Sequence, residues 1–181
     1  MREHGEQCEP INQSDYEAIY ERLHTDIHKC FLAIAWYTGS KPSSILKSKV
    51  SQFYVDPSNQ VVRSRIIPST KEIPCHKDLK EILGRYRCLK DGFLFPSRVC
   101  QGRHLSRQAF DKAFKKALRE AELEQKGYSL CSLRIGFIAR LADIGCRPEL
   151  IEHLSGLKNG IASLSKYKPL EEQIETAIAN F

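Results

Sequence analysis

The sequence predicts an α+β fold, mainly α, with a small antiparallel three-stranded sheet inserted among helices. Three observations predict it. Apolar residues recur at three- and four-residue intervals through most of the 181 residues, the period of helices that bury one face. Between Gln52 and Pro74 that period gives way to short β-prone stretches joined by a turn sequence, Asp56-Pro57-Ser58-Asn59. No composition shift or linker divides the chain, so one domain over residues 13–181 is expected behind a flexible polar segment, residues 1–12.

Taken in order, Ser14-Asp15-Tyr16-Glu17 reads as a capping box. Tyr16, Ile19, Tyr20, Leu23 and Ile27 then carry a helix to about His28. Cys30 to Tyr37 is apolar on all sides, a buried helix closed by Gly39. Pro42 suits the first turn of a short helix through Lys47. Gln52–Val55, Gln60–Ile66 and Glu72–Pro74 are the expected strands. Leu79, Ile82, Leu83 and Tyr86 restore the helical period, which Asp91-Gly92 breaks. Ser106 caps the clearest amphipathic helix. Phe110, Ala113, Phe114, Ala117, Leu118 and Ala121 form its apolar face, and Lys112, Lys115, Lys116 and Arg119 lie opposite. A helix from about Ser132 to Ala142 ends at Gly145, and Pro148 starts a short one ending near Gly156. Leu170, Ile174, Ala177, Ile178 and Phe181 are in phase for a final amphipathic helix.

Composition narrows the function classes. The net charge of +6 leans toward a polyanionic partner. The longest apolar run, Cys30 to Tyr37, falls far short of the about 20 residues a membrane-spanning helix needs, so no membrane partner is expected. The seven cysteines follow no signal peptide and form no C-x-x-C pair, which fits reduced thiols in a cytoplasm better than a disulfide framework. Cys75, His76, Cys88, Cys100 and His104 match no common zinc spacing.

The motifs sharpen this. Thr38-Gly39-Ser40-Lys41, Leu94-Phe95-Pro96-Ser97, Leu105-Ser106, Cys131-Ser132-Leu133-Arg134, Gly145, Gly156 and Tyr167 follow one another in a set order. Each alone is weak; together they resemble the catalytic domain of the tyrosine recombinase, or phage integrase, family from about Ile11 to Phe181. The family pattern places Thr-Gly-Leu-Arg at Thr38–Lys41 and His-x-Leu-Arg at Cys131–Arg134, and its tyrosine one residue earlier than Tyr167.

The resemblance implies a site-specific DNA recombinase that needs no metal or nucleotide cofactor. A tyrosine hydroxyl attacks the scissile phosphate, giving a 3′-phosphotyrosine link and a free 5′-hydroxyl, and reversal joins a new strand. Charge building on the phosphoryl oxygens requires cationic donors. A tyrosine pKa near about 10 means the proton must leave during attack. Carried onto this sequence, Tyr167 is the nucleophile, Arg134 and Lys41 hold the phosphate, Lys71 or Lys158 assists proton transfer, and Cys131 stands at the first histidine position. Arg63, Arg65, Arg103, Arg107, Lys112, Lys115, Lys116 and Arg119 are the expected phosphate contacts. The expected partners are double-stranded DNA and further copies of the chain, a tetramer on DNA joined through the helix 170–181. The chain resembles the short recombinases that consist of the catalytic domain without an N-terminal core-binding domain, such as fimbrial phase-variation invertases.

Several positions depart from the family. Lys41 replaces an arginine and loses the two-pronged fork that matches a phosphate. Cys131 replaces an imidazole with a weak donor. Leu157 occupies the second histidine position and has no proton to give. A second reading is therefore a relative that no longer cuts and serves as a DNA-binding or regulatory protein. A third takes Pro148–Lys166 as a helix-turn-helix of a transcriptional regulator. Plainer alternatives also stand: Arg134 as a surface or ion-paired helix arginine, Tyr167 as a loop tyrosine, Cys131 as a small buried hydrophobe, and the basic helix face as ordinary solvated surface.

Overall fold

The computed structural model of the chain describes residues 9–55, 62–64, 73–86, 92–97, 99–155 and 178. Its first helix, α1 (Gln13–Arg22), is capped by Asn12, whose Oδ1 accepts the Asp15 amide at 2.9 Å. This corrects the expected Ser14 capping box, because the Ser14 hydroxyl donates back to the same Asn12 oxygen at 3.1 Å. The helix stops at Leu23, which turns to extended backbone, so the apolar period through His28 spans two helices. Thr25 starts the second, α2 (Asp26–Thr38), accepting the His28 amide. The N-terminal boundary also moves: Ile11 is buried, and its amide donates to Ser132 O at 3.4 Å.

α2 is apolar around its circumference and is buried on nearly every side, as such a helix must be. It ends at Gly39, left-handed at φ +59°. α3 (Pro42–Leu46) follows, with Lys41 at its N-cap. A 3-10 turn at Val50–Gln52 leads into β1 (Phe53–Val55). β1 pairs antiparallel with β2 (Val62–Ser64), with Tyr54 opposite Arg63. β2 pairs antiparallel with β3 (Ile73–Pro74), with Arg63 opposite Pro74. The strand order is β1-β2-β3.

The remaining helices are α4 (Lys77–Tyr86), α5 (Arg107–Glu120), α6 (Leu130–Asp143) and α7 (Pro148–Ser155). α2 packs between α4 and α6, α1 and α3 lean on α5, and α7 rests on α6. The main core gathers Ile19, Phe31, Ile34, Trp36, Phe95 and Phe110. Phe31 and Phe110 stack with centroids 4.1 Å apart, tying α2 to α5. A second cluster joins Phe137 and Leu141 of α6 to Leu150 and Leu154 of α7 and to Ile178. Ile178 is helical and buried; the rest of the expected helix 170–181 lies outside the described residues.

Candidate functional site

The site is built where the C-terminal end of α2 meets α6. Gly39 sits directly against the Phe137 ring: a Cβ there would lie 2.7 Å from Cγ and 3.0 Å from Cε1. Phe137 is three residues beyond Arg134, on the same side of α6. Lys41 follows two residues after Gly39, within about 8 Å along the chain. The α2–α6 seam thus brings the segments that carry Lys41 and Arg134 to one place.

Three sets of local bonds fix that place. The Thr38 Oγ1 lies 2.6 Å from Ile34 O and 2.8 Å from Ser40 Oγ, so the buried turn before Lys41 is held by its own hydroxyls. α6 starts with Ser129 at the N-cap, accepting the Cys131 amide at 3.2 Å, while the Ser132 hydroxyl accepts the Ser129 amide at 3.1 Å. Arg140, two turns down α6, donates to Trp36 O at 2.6 Å and lies 3.4 Å from the Trp36 ring centroid. It therefore binds a carbonyl near the end of α2 just before the turn to Lys41. Burial pulls the Arg140 pKa down to about 9, opposed by Tyr37 and Tyr16 nearby. Sequence reasoning missed Arg140; an arginine interrupting the apolar run Leu133–Leu141 was the only signal.

Arg134 is half-buried on the first turns of α6. Among the described residues it makes no hydrogen bond or ion pair. Burial lowers its pKa while Cys131 opposes the shift. An arginine stays charged under such a shift, and partial removal from water strengthens its pull on an anion. Lys41 is exposed, with no partner among the described residues. Cys131 is exposed one turn before Arg134, which corrects its reading as a buried hydrophobe. A thiol there can offer only a weak hydrogen bond.

The cationic residues of α5 divide. Arg107 pairs with Asp111 at 3.6 Å and Lys116 with Glu120 at 3.6 Å. Lys112, Lys115 and Arg119 are exposed and without a carboxylate among the described residues. The apolar face bearing Phe110, Phe114, Ala117 and Leu118 is buried, so these cations point away from the core. Arg103 is exposed on the loop before α5, where its carbonyl accepts the Ser97 amide at 2.8 Å. Arg63 lies in β2. Tyr167, Lys71, Lys158, Arg65 and Leu157 lie outside the described residues. At the residues once weighed for zinc, burial pushes the Cys75 thiol up to about 12 and lowers the His76 pKa.

Comparison with known proteins places this geometry. The model of the phage integrase family matches residues 9–173. No curated protein sequence matches the chain. Among solved structures, an integrase from mycobacterium phage Brujita superposes with a TM-score of 0.71 at 15% identity, covering 98% of this chain and 59% of that one. XerA recombinase superposes at 0.65 and 16% identity, covering 83% of this chain and 57% of that one. A lambda integrase tetramer bound to a Holliday junction matches at 0.59 and 18% identity, covering 94% of this chain and 52% of that one. The chain thus spans somewhat over half the length of these structures, and at such identities the likeness is one of fold.

Proposed function

The chain belongs to the phage integrase family, and from that premise we propose that it is a site-specific recombinase that cuts and rejoins DNA through a 3′-phosphotyrosine. The observation that carries the proposal is Arg134: a half-buried guanidinium with no partner among the described residues, on a helix docked against the turn that presents Lys41. Such a cation fits a phosphodiester group, to whose two non-bridging oxygens it can donate two parallel hydrogen bonds.

In this reading the Tyr167 oxygen attacks phosphorus and gives up its proton to a neighbouring base or to water. The bond from phosphorus to the 5′-oxygen breaks as that oxygen takes a proton from Lys71 or Lys158. Arg134 and Lys41 neutralise the charge that gathers on the non-bridging oxygens. Lys41 does so as a point charge, without the planar fork of an arginine. Cys131 stands beside this centre as a weak donor. Lys112, Lys115, Arg119 and Arg103, with Arg63 and Arg65 from the sheet, hold the flanking phosphates. Arg107 and Lys116 join them by exchanging their carboxylate partners for phosphate. The solved neighbours include a lambda integrase dimer bound to a core site and a tetramer bound to a Holliday junction. By extension, several copies of this chain assemble on DNA, with the helix 170–181 at their contacts.

A second reading has its own support. Lys41 and the exposed Cys131 flank Arg134 where the family writes arginine and histidine, as expected of a relative that binds DNA without cutting it. Covalent trapping separates the two. The protein is incubated with nicked suicide duplexes made from DNA flanking its own gene and resolved on denaturing gels beside Tyr167→Phe. A protein–DNA adduct that vanishes in the variant supports recombination. No adduct, with a salt-sensitive gel shift on the same duplexes, sinks the catalytic reading in favour of binding alone.

A further inference from the structure

Away from the α2–α6 seam, α1, α4 and the end of α2 enclose an open groove of about 260 Å³. Its aromatic walls are Tyr16, Tyr20 and Tyr37, and its rim carries Glu17, Glu21 and Asp78. The other two charged residues of the lining, Glu81 and Arg85, engage each other at 3.4 Å. On a chain of net charge +6, this groove is reversed in sign.

Its polar groups are unevenly used. Asp78 accepts the Tyr37 hydroxyl at 2.9 Å, and Glu17 accepts Gln13 Nε2 at 2.7 Å. Glu21 is exposed and has no partner among the described residues. Tyr16 is only 5% exposed and stacks on Trp36 at 4.3 Å, yet its hydroxyl bonds to no described residue while lining the groove. The hydroxyl is open to the groove rather than sealed, so an entering donor can reach it. Tyrosine faces attract cations, and the Tyr20 ring already holds the Lys29 ammonium 4.9 Å from its centroid.

These features select the occupant. Carboxylates repel nucleic acid and anionic lipid. Among the described residues no group of three His, Cys, Asp or Glu converges to hold a metal ion. The volume falls below the about 300–1,000 Å³ typical of whole small-molecule sites, and suits a single long side chain. We propose that this groove is a docking site for a basic segment of another protein, whose arginine or lysine enters between the tyrosines and the carboxylates. The entering N–H groups would donate to the Tyr16 hydroxyl and to Glu21. The proposal does not depend on whether the chain cuts DNA.

The test titrates the full chain with a short fluorescein-labelled peptide of alternating arginine and glycine, read by fluorescence anisotropy. The same peptide with citrulline in place of arginine serves as control. Glu17 and Glu21 are exposed, so Glu17→Gln/Glu21→Gln leaves the fold intact. Saturable binding is expected, weakened about five-fold or more in that double variant and about three-fold in Tyr16→Phe, with the citrulline peptide bound no better than background. Equal affinity in the variants, or no saturation, overturns the proposal. So does free arginine or spermidine binding as tightly as the peptide, which would mark a small-molecule site. Groove-dependent self-association without peptide binding also overturns it, in favour of a second copy of the chain.

Discussion

Replacing Gly39 with alanine tests the seam on which the site stands. Two costs act at that position. Its backbone is left-handed at φ +59°, which an L side chain tolerates at about 1–2 kcal/mol. The new methyl would also press on Phe137, 2.7 Å from Cγ. Phe137 is buried between α6 and α7 and cannot retreat freely, so overpacking adds about 1–3 kcal/mol. Together Gly39→Ala should lose about 2–5 kcal/mol, a large part of the about 5–15 kcal/mol typical of a domain. Urea unfolding followed by far-ultraviolet circular dichroism measures the loss. Adding Phe137→Leu relieves the steric cost and leaves the backbone cost, so the double variant should recover about 1 kcal/mol or more relative to additivity. A loss of Gly39→Ala within about 0.5 kcal/mol, or strict additivity with Phe137→Leu, would refute the close docking of α2 on α6.

Other outcomes follow from separate features. Removing the charges of Lys112, Lys115 and Arg119 together by glutamine should flatten the dependence of log DNA affinity on log salt by about 0.9 per lost phosphate contact; an unchanged slope removes α5 from the DNA interface. Lys41→Arg should strengthen binding to a nicked duplex several-fold through the added fork, and equal affinity would place Lys41 away from phosphate. Asp15 is buried and accepts Tyr128 Oη at 2.6 Å and Lys126 Nζ at 2.7 Å. Burial raises its pKa, but those donors outweigh burial and the net shift is downward. Its stabilisation is therefore complete above the ordinary aspartate pKa and is lost as pH falls through the lowered value. Tyr128→Phe should cost about 1.5–3 kcal/mol at neutral pH and narrow the acid-side fall in a pH series of urea midpoints.

Much of this was legible from residue pattern alone. The faces of α5 could be assigned because Phe110, Phe114 and Ala117 alternate with lysines at helical spacing, and nothing in the tertiary structure overrides that pattern. The end of α2 could be placed because Gly39 is the residue type that a left-handed cap favours. The break between α1 and α2 was not legible. Leu23-His24-Thr25 contains neither glycine nor proline, and Leu23 and Ile27 keep the apolar period running across it. The cap of α1 was misplaced because Asn12 and Ser14 are both good capping residues and only geometry chooses between them. Motif order singles out Arg134 and Lys41 as candidates. The docking of α2 on α6 was not legible, since the Phe137 contact and the Arg140 bond to Trp36 O join residues about 100 positions apart.

The Arg140–Trp36 stack has a practical consequence. The chain contains one tryptophan, and it lies on the seam, with no exposure, between Tyr16 on one side and the Arg140 guanidinium on the other. A sealed indole emits to the blue of a hydrated one, and a guanidinium on its face alters its brightness. Intrinsic fluorescence therefore reports, without any label, whether α2, which leads into the Lys41 turn, and α6, which carries Arg134, remain together. A variant or a DNA duplex that shifts this emission has disturbed the seam, and one that leaves it unchanged has acted elsewhere.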